Sequence, residues 1–190
     1  MTKSQLRREY LAKRRQLPSG EYNTLNQNLL HQFRRLDLSN THCIHLFLPI
    51  RERNEPDTYR IRDWLKAEHP EIKIVFPKTN FQTLTMESYA DDDALELAKN
   101  GYDIAEPVAG NEVVVEEIDM VILPLLIFDK LGYRVGYGKG FYDRFCALCK
   151  PGTQFIGLSF FEPVDSIEDV NEYDVWMHAC ITPEQIWRWH

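Results

Sequence analysis

Asp119-Met120-Val121-Ile122-Leu123-Pro124 opens the stretch that decides how this chain reads. Four apolar residues between an aspartate and a proline predict a strand buried on both faces, as in a parallel sheet. Apolar residues run on to Phe128, and the turn Asp129-Lys130-Leu131-Gly132 follows. Then comes Arg134-Val135-Gly136-Tyr137-Gly138-Lys139-Gly140-Phe141-Tyr142-Asp143-Arg144. A helix is expected from Phe141 to about Cys149, with Phe141, Phe145 and Leu148 on one face, and Phe155 to Ser159 reads as the next strand. Strand, glycine-rich loop, helix and strand in that order belong to an α/β fold.

The same alternation extends toward the N-terminus. Helices are expected from Lys3 to about Leu17 and from about Glu21 to Leu36, the first ended by Pro18-Ser19-Gly20. Ile44 to Leu48 reads as a buried strand closed by Pro49. A charged loop with Glu55 follows it, and a helix marked by Ile61, Trp64 and Leu65 ends before Pro70. Lys73 to Pro77 and Leu84 to Tyr89 read as strands, Asp91 to Asp93 as a solvated loop, and Gly101 to Pro107 as turn-rich. A short helix carrying Trp187 and Trp189 is expected at the end. The pattern predicts a mostly parallel central sheet with helices on both faces, Rossmann-like and three-layered, in a single domain over 1–190.

The loop carries the chemistry. Its three alternating glycines allow positive φ and close backbone approach, and successive amides in such a turn make an anion-binding concavity. Lys139 and Arg134 add positive charge, and Asp143 is positioned to hold a metal ion beside the anion. The reading is a nucleotide or phosphate loop, although a glycine-rich hairpin or helix cap fits the same residues. Neither of two familiar patterns is met. Tyr133 and Gly140 break G-x-x-x-x-G-K-[ST], and Phe141 breaks G-x-G-x-x-G. Lys3, Arg7 and Arg14 share one stripe of the first helix, which either reaches phosphates or is a solvated face.

Composition bounds the function. The 190 residues are 44% hydrophobic and 27% charged, as expected for one globular domain. The net charge of −7 argues against general nucleic-acid binding. The lack of a membrane-length apolar run or a secretory leader predicts a cytoplasmic protein with no membrane partner. Cys146 and Cys149 form one C-x-x-C pair without further ligands nearby, so a structural role is expected.

Taken together, the segments resemble the 5-formyltetrahydrofolate cyclo-ligase family. The resemblance rests on Lys3-x-x-x-Arg7, Glu55-Pro56-Asp57-Thr58, Ile104-Ala105-Glu106-Pro107, Asp119 to Pro124, and Phe128-Asp129-x-x-Gly132-x-Arg134-x-Gly136 continuing to Asp143. It implies ATP- and Mg2+-dependent closure of 5-formyltetrahydrofolate to 5,10-methenyltetrahydrofolate, with ADP and phosphate released through an N5-iminium phosphate. It implies ATP contacts from Lys3, Arg7 and the run Arg134, Val135, Gly136, Tyr137, Gly138, Lys139, Gly140, Phe141 and Tyr142. Lys139, Arg134 and Tyr142 would be catalytic. Leu48, Glu55 and Tyr137 to Phe141 would meet the folate, and Asp143 and Asp174 would hold Mg2+. A monomer is expected. The chain departs from the family pattern in a longer segment between Leu48 and Glu55, in Phe141 where a tyrosine is common, and in His178 where a second tail aspartate is common. The other readings are a sugar-phosphate isomerase or CoA-transferase-like enzyme on a similar fold, or a non-catalytic nucleotide-binding protein.

Overall fold

The computed structural model describes residues 1–101 and 104–189. Tyr102 and Asp103, within the turn-rich segment expected at 101–107, and His190 lie outside the described residues. The chain begins with α1 (Lys3–Arg15) and α2 (Ser19–Phe33). Thr2 caps α1: its hydroxyl accepts from the Gln5 amide, and the Gln5 side chain accepts from the Thr2 amide. Next come β1 (Cys43–His45), α3 (Thr58–Glu68), β2 (Lys73–Asn80) and β3 (Thr85–Ala90). Two short strands, β4 (Glu96–Lys99) and β5 (Ala105–Ala109), pair only with each other.

The stretch that opened the sequence reading becomes β6 (Met120–Pro124), and Met120 to Leu123 are at most 3% exposed. Beyond it, β7 (Ile127–Phe128) and β8 (Arg134–Val135) form a two-stranded hairpin around the 129–132 turn. Then come α4 (Phe141–Cys146), β9 (Gln154–Leu158), β10 (Ala179–Ile181) and β11 (Ile186–Arg188).

The main sheet has the order β11-β10-β9-β6-β1-β2-β3. Its five inner strands run parallel, and β3 and β11 are antiparallel edges. Leu29 and Phe33 of α2 and Ile61 and Leu65 of α3 pack with Ile44, Ile74 and Ile122 on one face. Phe145 and Cys146 of α4 pack with Cys43, Val75 and Val121 on the other. The alternating side chains of each strand therefore feed two cores. From β1 the chain crosses through α3 to β2, and from β6 it crosses the opposite way through α4 to β9. The strand order reverses between β1 and β6, where ligands bind in open α/β sheets, beyond the carboxyl ends of the strands.

Several expectations change in detail. The tail is a strand rather than a helix: Trp187 and Trp189, two residues apart, both set their rings edge-on to Phe128, at 6.3 and 5.9 Å. β1 stops at His45, with one more parallel bond from the Leu46 amide to Val75 O at 2.9 Å. The helix expected to reach Cys149 ends at Cys146, and the four cysteines are free thiols. Asp91 is not solvated; its side chain is 4% exposed and is paired with Arg62 at 2.5 Å and Lys66 at 2.9 Å.

Candidate active site

A cavity of about 1150 Å3 opens beyond the carboxyl ends of β1, β2 and β6, where it is lined by Phe47 and Leu48, Pro77 and Thr79, and Pro124. Every residue expected to be functional borders it. Lys3 and Arg7 come from α1, Leu48 and Glu55 from the segment after β1, and Asp174 from the tail. Arg134, Val135, Gly136, Tyr137, Gly138, Lys139, Gly140, Phe141, Tyr142 and Asp143 come from the glycine-rich loop and the start of α4. The Lys3–Arg7 side of α1 is therefore a cavity wall, and the solvated-face reading of that stripe falls.

The glycines are placed by specific demands. Arg7 Nε donates to Gly136 O at 2.9 Å. Its guanidinium then lies across Gly138, where φ is +87° and an added Cβ would stand 3.0 Å from Arg7 Cζ. Gly140, at φ +67°, caps α4, with Arg144 Nη1 3.0 Å from where a Cβ would be. Asp129, fully buried, accepts from the amides of Leu131, Tyr133 and Ile167, so the Phe128-Asp129-x-x-Gly132 part of the motif builds the turn beneath the loop.

One end of the cavity is cationic. Lys139 is exposed, and its ammonium has no ion pair among the described residues. Lys3 is paired with Asp174, whose Oδ2 also accepts from the Asn171 amide at 2.7 Å. Arg134 Nη2 donates to Asp143 Oδ1 at 2.7 Å, and Nη1 donates to Val175 O at 2.6 Å. The Val175 amide closes the knot on Asp143 Oδ1 at 3.2 Å. Arg134 thus clamps the tail to α4, while Val135 gives its side chain to a core with Leu6 and Ile167. Among the described residues no three His, Cys, Asp or Glu gather into a metal cage. Asp143 and Asp174 are a pair flanking the Val175 amide, and in each one oxygen is tied while the other has no protein hydrogen bond among the described residues. That donor set fits Mg2+, which takes one or two carboxylates together with phosphate oxygens and water. His178 lies apart: its Nδ1 accepts from the Phe155 amide at 3.0 Å, and burial lowers its pKa.

The other end is built around a buried acid. Glu55 is 2% exposed, its Oε2 accepts from the Ile50 amide at 2.7 Å, and its Oε1 accepts from the Tyr137 hydroxyl. Arg14, also 2% exposed, donates to that same hydroxyl, to Leu125 O at 3.0 Å and to Arg53 O at 2.9 Å. Its Nη2 is 3.7 Å from Glu55 Oε1. Burial raises the Glu55 pKa, opposed first by the Arg14 charge. Burial and the Glu55 charge push the Tyr137 phenol up, so it stays a protonated donor. The longer segment between Leu48 and Glu55 holds a short 3-10 turn over 51–53, and Arg14 ties it down from both sides, since Asn54 Nδ2 donates to Arg14 O at 3.0 Å.

Apolar walls join the two ends. Leu48 is buried, and the Phe81 and Phe141 rings meet edge-on at 5.2 Å. Below them Tyr142 sets its ring edge-on to His45 at 5.9 Å. The Tyr142 hydroxyl and both His45 nitrogens are buried without a hydrogen-bond partner among the described residues. Arg14, Arg53, Phe81 and Met86 were not singled out as site residues from the sequence. Arg14 shares the stripe of Lys3 and Arg7, which was its only signal; Phe81 sits in a hairpin turn and carried none.

The family model described as the 5-formyltetrahydrofolate cyclo-ligase family matches residues 1–183. The 5-formyltetrahydrofolate cyclo-ligase of Escherichia coli K12 is 34% identical over 97 residues, 50% of this chain and 53% of that protein, so the match spans about half the length of this relative. The Mus musculus enzyme of the same name is 32% identical over 72% of this chain and 70% of its own. Among solved structures, a 5,10-methenyltetrahydrofolate synthetase from Mycoplasma pneumoniae superposes with a TM-score of 0.76 at 25% identity, covering 95% of this chain and 98% of that one. The synthetase of Aquifex aeolicus gives 0.75 at 26% identity, covering 99% and 93%.

Proposed function

The chain belongs to the 5-formyltetrahydrofolate cyclo-ligase family, and from that premise we propose that it closes 5-formyltetrahydrofolate to 5,10-methenyltetrahydrofolate at the expense of ATP, with Mg2+. The observation that carries this reading is one cavity with unlike ends, cations and a glycine-rich loop at one and a buried carboxylate at the other, with aromatic walls between them. Triphosphate and pterin demand those opposite surroundings, and a single cavity brings their reacting atoms together.

The formyl oxygen attacks the γ-phosphorus of ATP, the bond to ADP breaks, and an N5-iminium phosphate forms. N10 then attacks the activated carbon, the C–O bond breaks, and phosphate leaves with the formyl oxygen and the proton lost from N10. The protein's part is to orient both substrates and neutralise moving phosphate charge. Lys139 and Arg7 face the phosphates. Lys3 reaches them once it leaves Asp174. Arg134 acts by holding Asp143. Asp143 and Asp174 would hold Mg2+, which would supply positive charge against the phosphates. Glu55 accepts from the N–H edge of the pterin, and Leu48, Phe81 and Phe141 enclose its ring.

The test is the absorbance of methenyl-folate formed from 5-formyltetrahydrofolate with and without Mg-ATP. Product that requires Mg-ATP is the expected result. Folded protein that binds ATP and forms no product would overturn the reading.

A further inference from the structure

Arg14 belongs to none of the roles above, yet it is among the largest side chains fully removed from solvent. A guanidinium without water is costly unless its donors are met. Here three of the five N–H donors are spent on two backbone carbonyls and the Tyr137 hydroxyl, and Nη2 also faces the Glu55 carboxylate at 3.7 Å. The hydroxyl, held as an acceptor from Arg14, has its own proton left for Glu55. The chain of contacts therefore has one direction: Arg14 to Tyr137, Tyr137 to Glu55, with the carboxylate at the cavity wall.

We propose that Arg14 is a positioning residue for the folate end: through Tyr137 it fixes the Glu55 carboxylate so that its remaining lone pairs meet a ligand edge bearing neighbouring N–H donors. The inference rests on the folate reading of this end. Each Glu55 oxygen accepts one bond from the protein, leaving capacity for two more from a ligand. Charged and titratable groups reach Glu55 from each packed element: Arg14 on α1, Arg53 in its own loop, Tyr137 in the glycine-rich loop and Tyr142 on α4, while Tyr22 on α2 donates to its backbone carbonyl at 2.9 Å. The nearest full positive charge is that of Arg14, and burial alone favours a protonated Glu55. A protonated acid would present a donor to N–H groups and would repel them.

Arg14→Met, Arg14→Lys and Glu55→Gln test this by titrating 5-formyltetrahydrofolate and, separately, Mg-ATP into each protein between pH 5 and 8. Arg14→Met is expected to weaken folate binding about tenfold at pH 7 with Mg-ATP affinity within twofold. The acid limb of folate binding should move to higher pH, and Arg14→Lys should restore part of both. In a Glu55→Gln background the Arg14 change should add little. Equal loss of both ligands, or an acid limb that stays in place, overturns the role. Should Arg14→Met fail to fold, Tyr137→Phe decides: it must weaken folate more than Mg-ATP and move the acid limb of folate binding to higher pH, and unchanged folate binding overturns the proposal. Failure of the wild type to form methenyl-folate would instead sink the function, so the two failures are told apart.

Discussion

At the acid end of the cavity, Glu55 and Arg14 are each 2% exposed, and Tyr137 lies between them. At the cation end, the Lys3 and Asp174 side chains are 16% and 18% exposed, and Lys139 carries no ion pair among the described residues. Under the proposed function, the difference follows from what each end would do. A buried network with its donors and acceptors matched is rigid and expensive to rearrange. A part-exposed lysine–aspartate pair exchanges partners more readily than a fully buried network, because solvent can reach both groups. A ring whose edge must be recognised suits the first arrangement. A polyanion that arrives with its own cation suits the second, since Lys3 and Asp174 can each find an opposite charge on it.

Lys139→Ala is the strongest attempt to break this comparison. Turnover is expected to fall about 10²-fold or more, with folate affinity kept, because the lost ammonium serves transition-state phosphate charge. An equal fall in folate affinity would mean that the ends are not separate. Near-normal turnover would make Lys139 only a loop residue.

The floor beneath both ends is probed by pH. Burial holds the His45 pKa down to about 3, against an unfolded value near 6.5. Between those values the unfolded chain binds a proton that the folded chain refuses. Stability is therefore present above ~6.5 and is lost as pH falls, by up to about 1.4 kcal/mol per unit. Denaturant unfolding should show a loss of about 1.6 kcal/mol from this group between pH 6.5 and 5. His45→Leu should flatten that slope, and an unchanged slope would assign it to other groups.

Asp143→Asn sharpens the comparison from the cation side. The midpoint of the Mg2+ titration of activity should rise about tenfold, the lower end of what altered metal surroundings cost. An unmoved midpoint would remove Asp143 from the metal site and leave it as the partner of Arg134 alone.

Much of this was legible before any coordinates. The apolar run 120–123 announced a central strand because a strand buried on both faces needs no polar positions. The loop pointed to a phosphate site because alternating glycines beside a lysine allow close backbone approach to an anion, although a glycine-rich hairpin or helix cap fitted the same residues. What stayed hidden involved pairings across distance. Arg14 reads as a surface charge in a helix, and its burial depends on Leu125 and Tyr137, 111 and 123 residues further on. Arg134 reads as a phosphate ligand, but its guanidinium is committed to Asp143 and Val175. Trp187 and Trp189 were assigned to a helix although their spacing of two is that of a strand; Phe128, which both rings meet, was the missing fact.

The Lys3–Asp174 pair spans 171 residues. On a ribosome, α1 emerges long before the tail, and its lysine waits for this partner until Asp174 has followed it out. The acid end has all its members once Tyr137 has left the exit tunnel, whereas the cation end awaits Asp174 and Val175. Under the proposed function, the residues that would meet the nucleotide are therefore completed later in synthesis than those that would meet the folate.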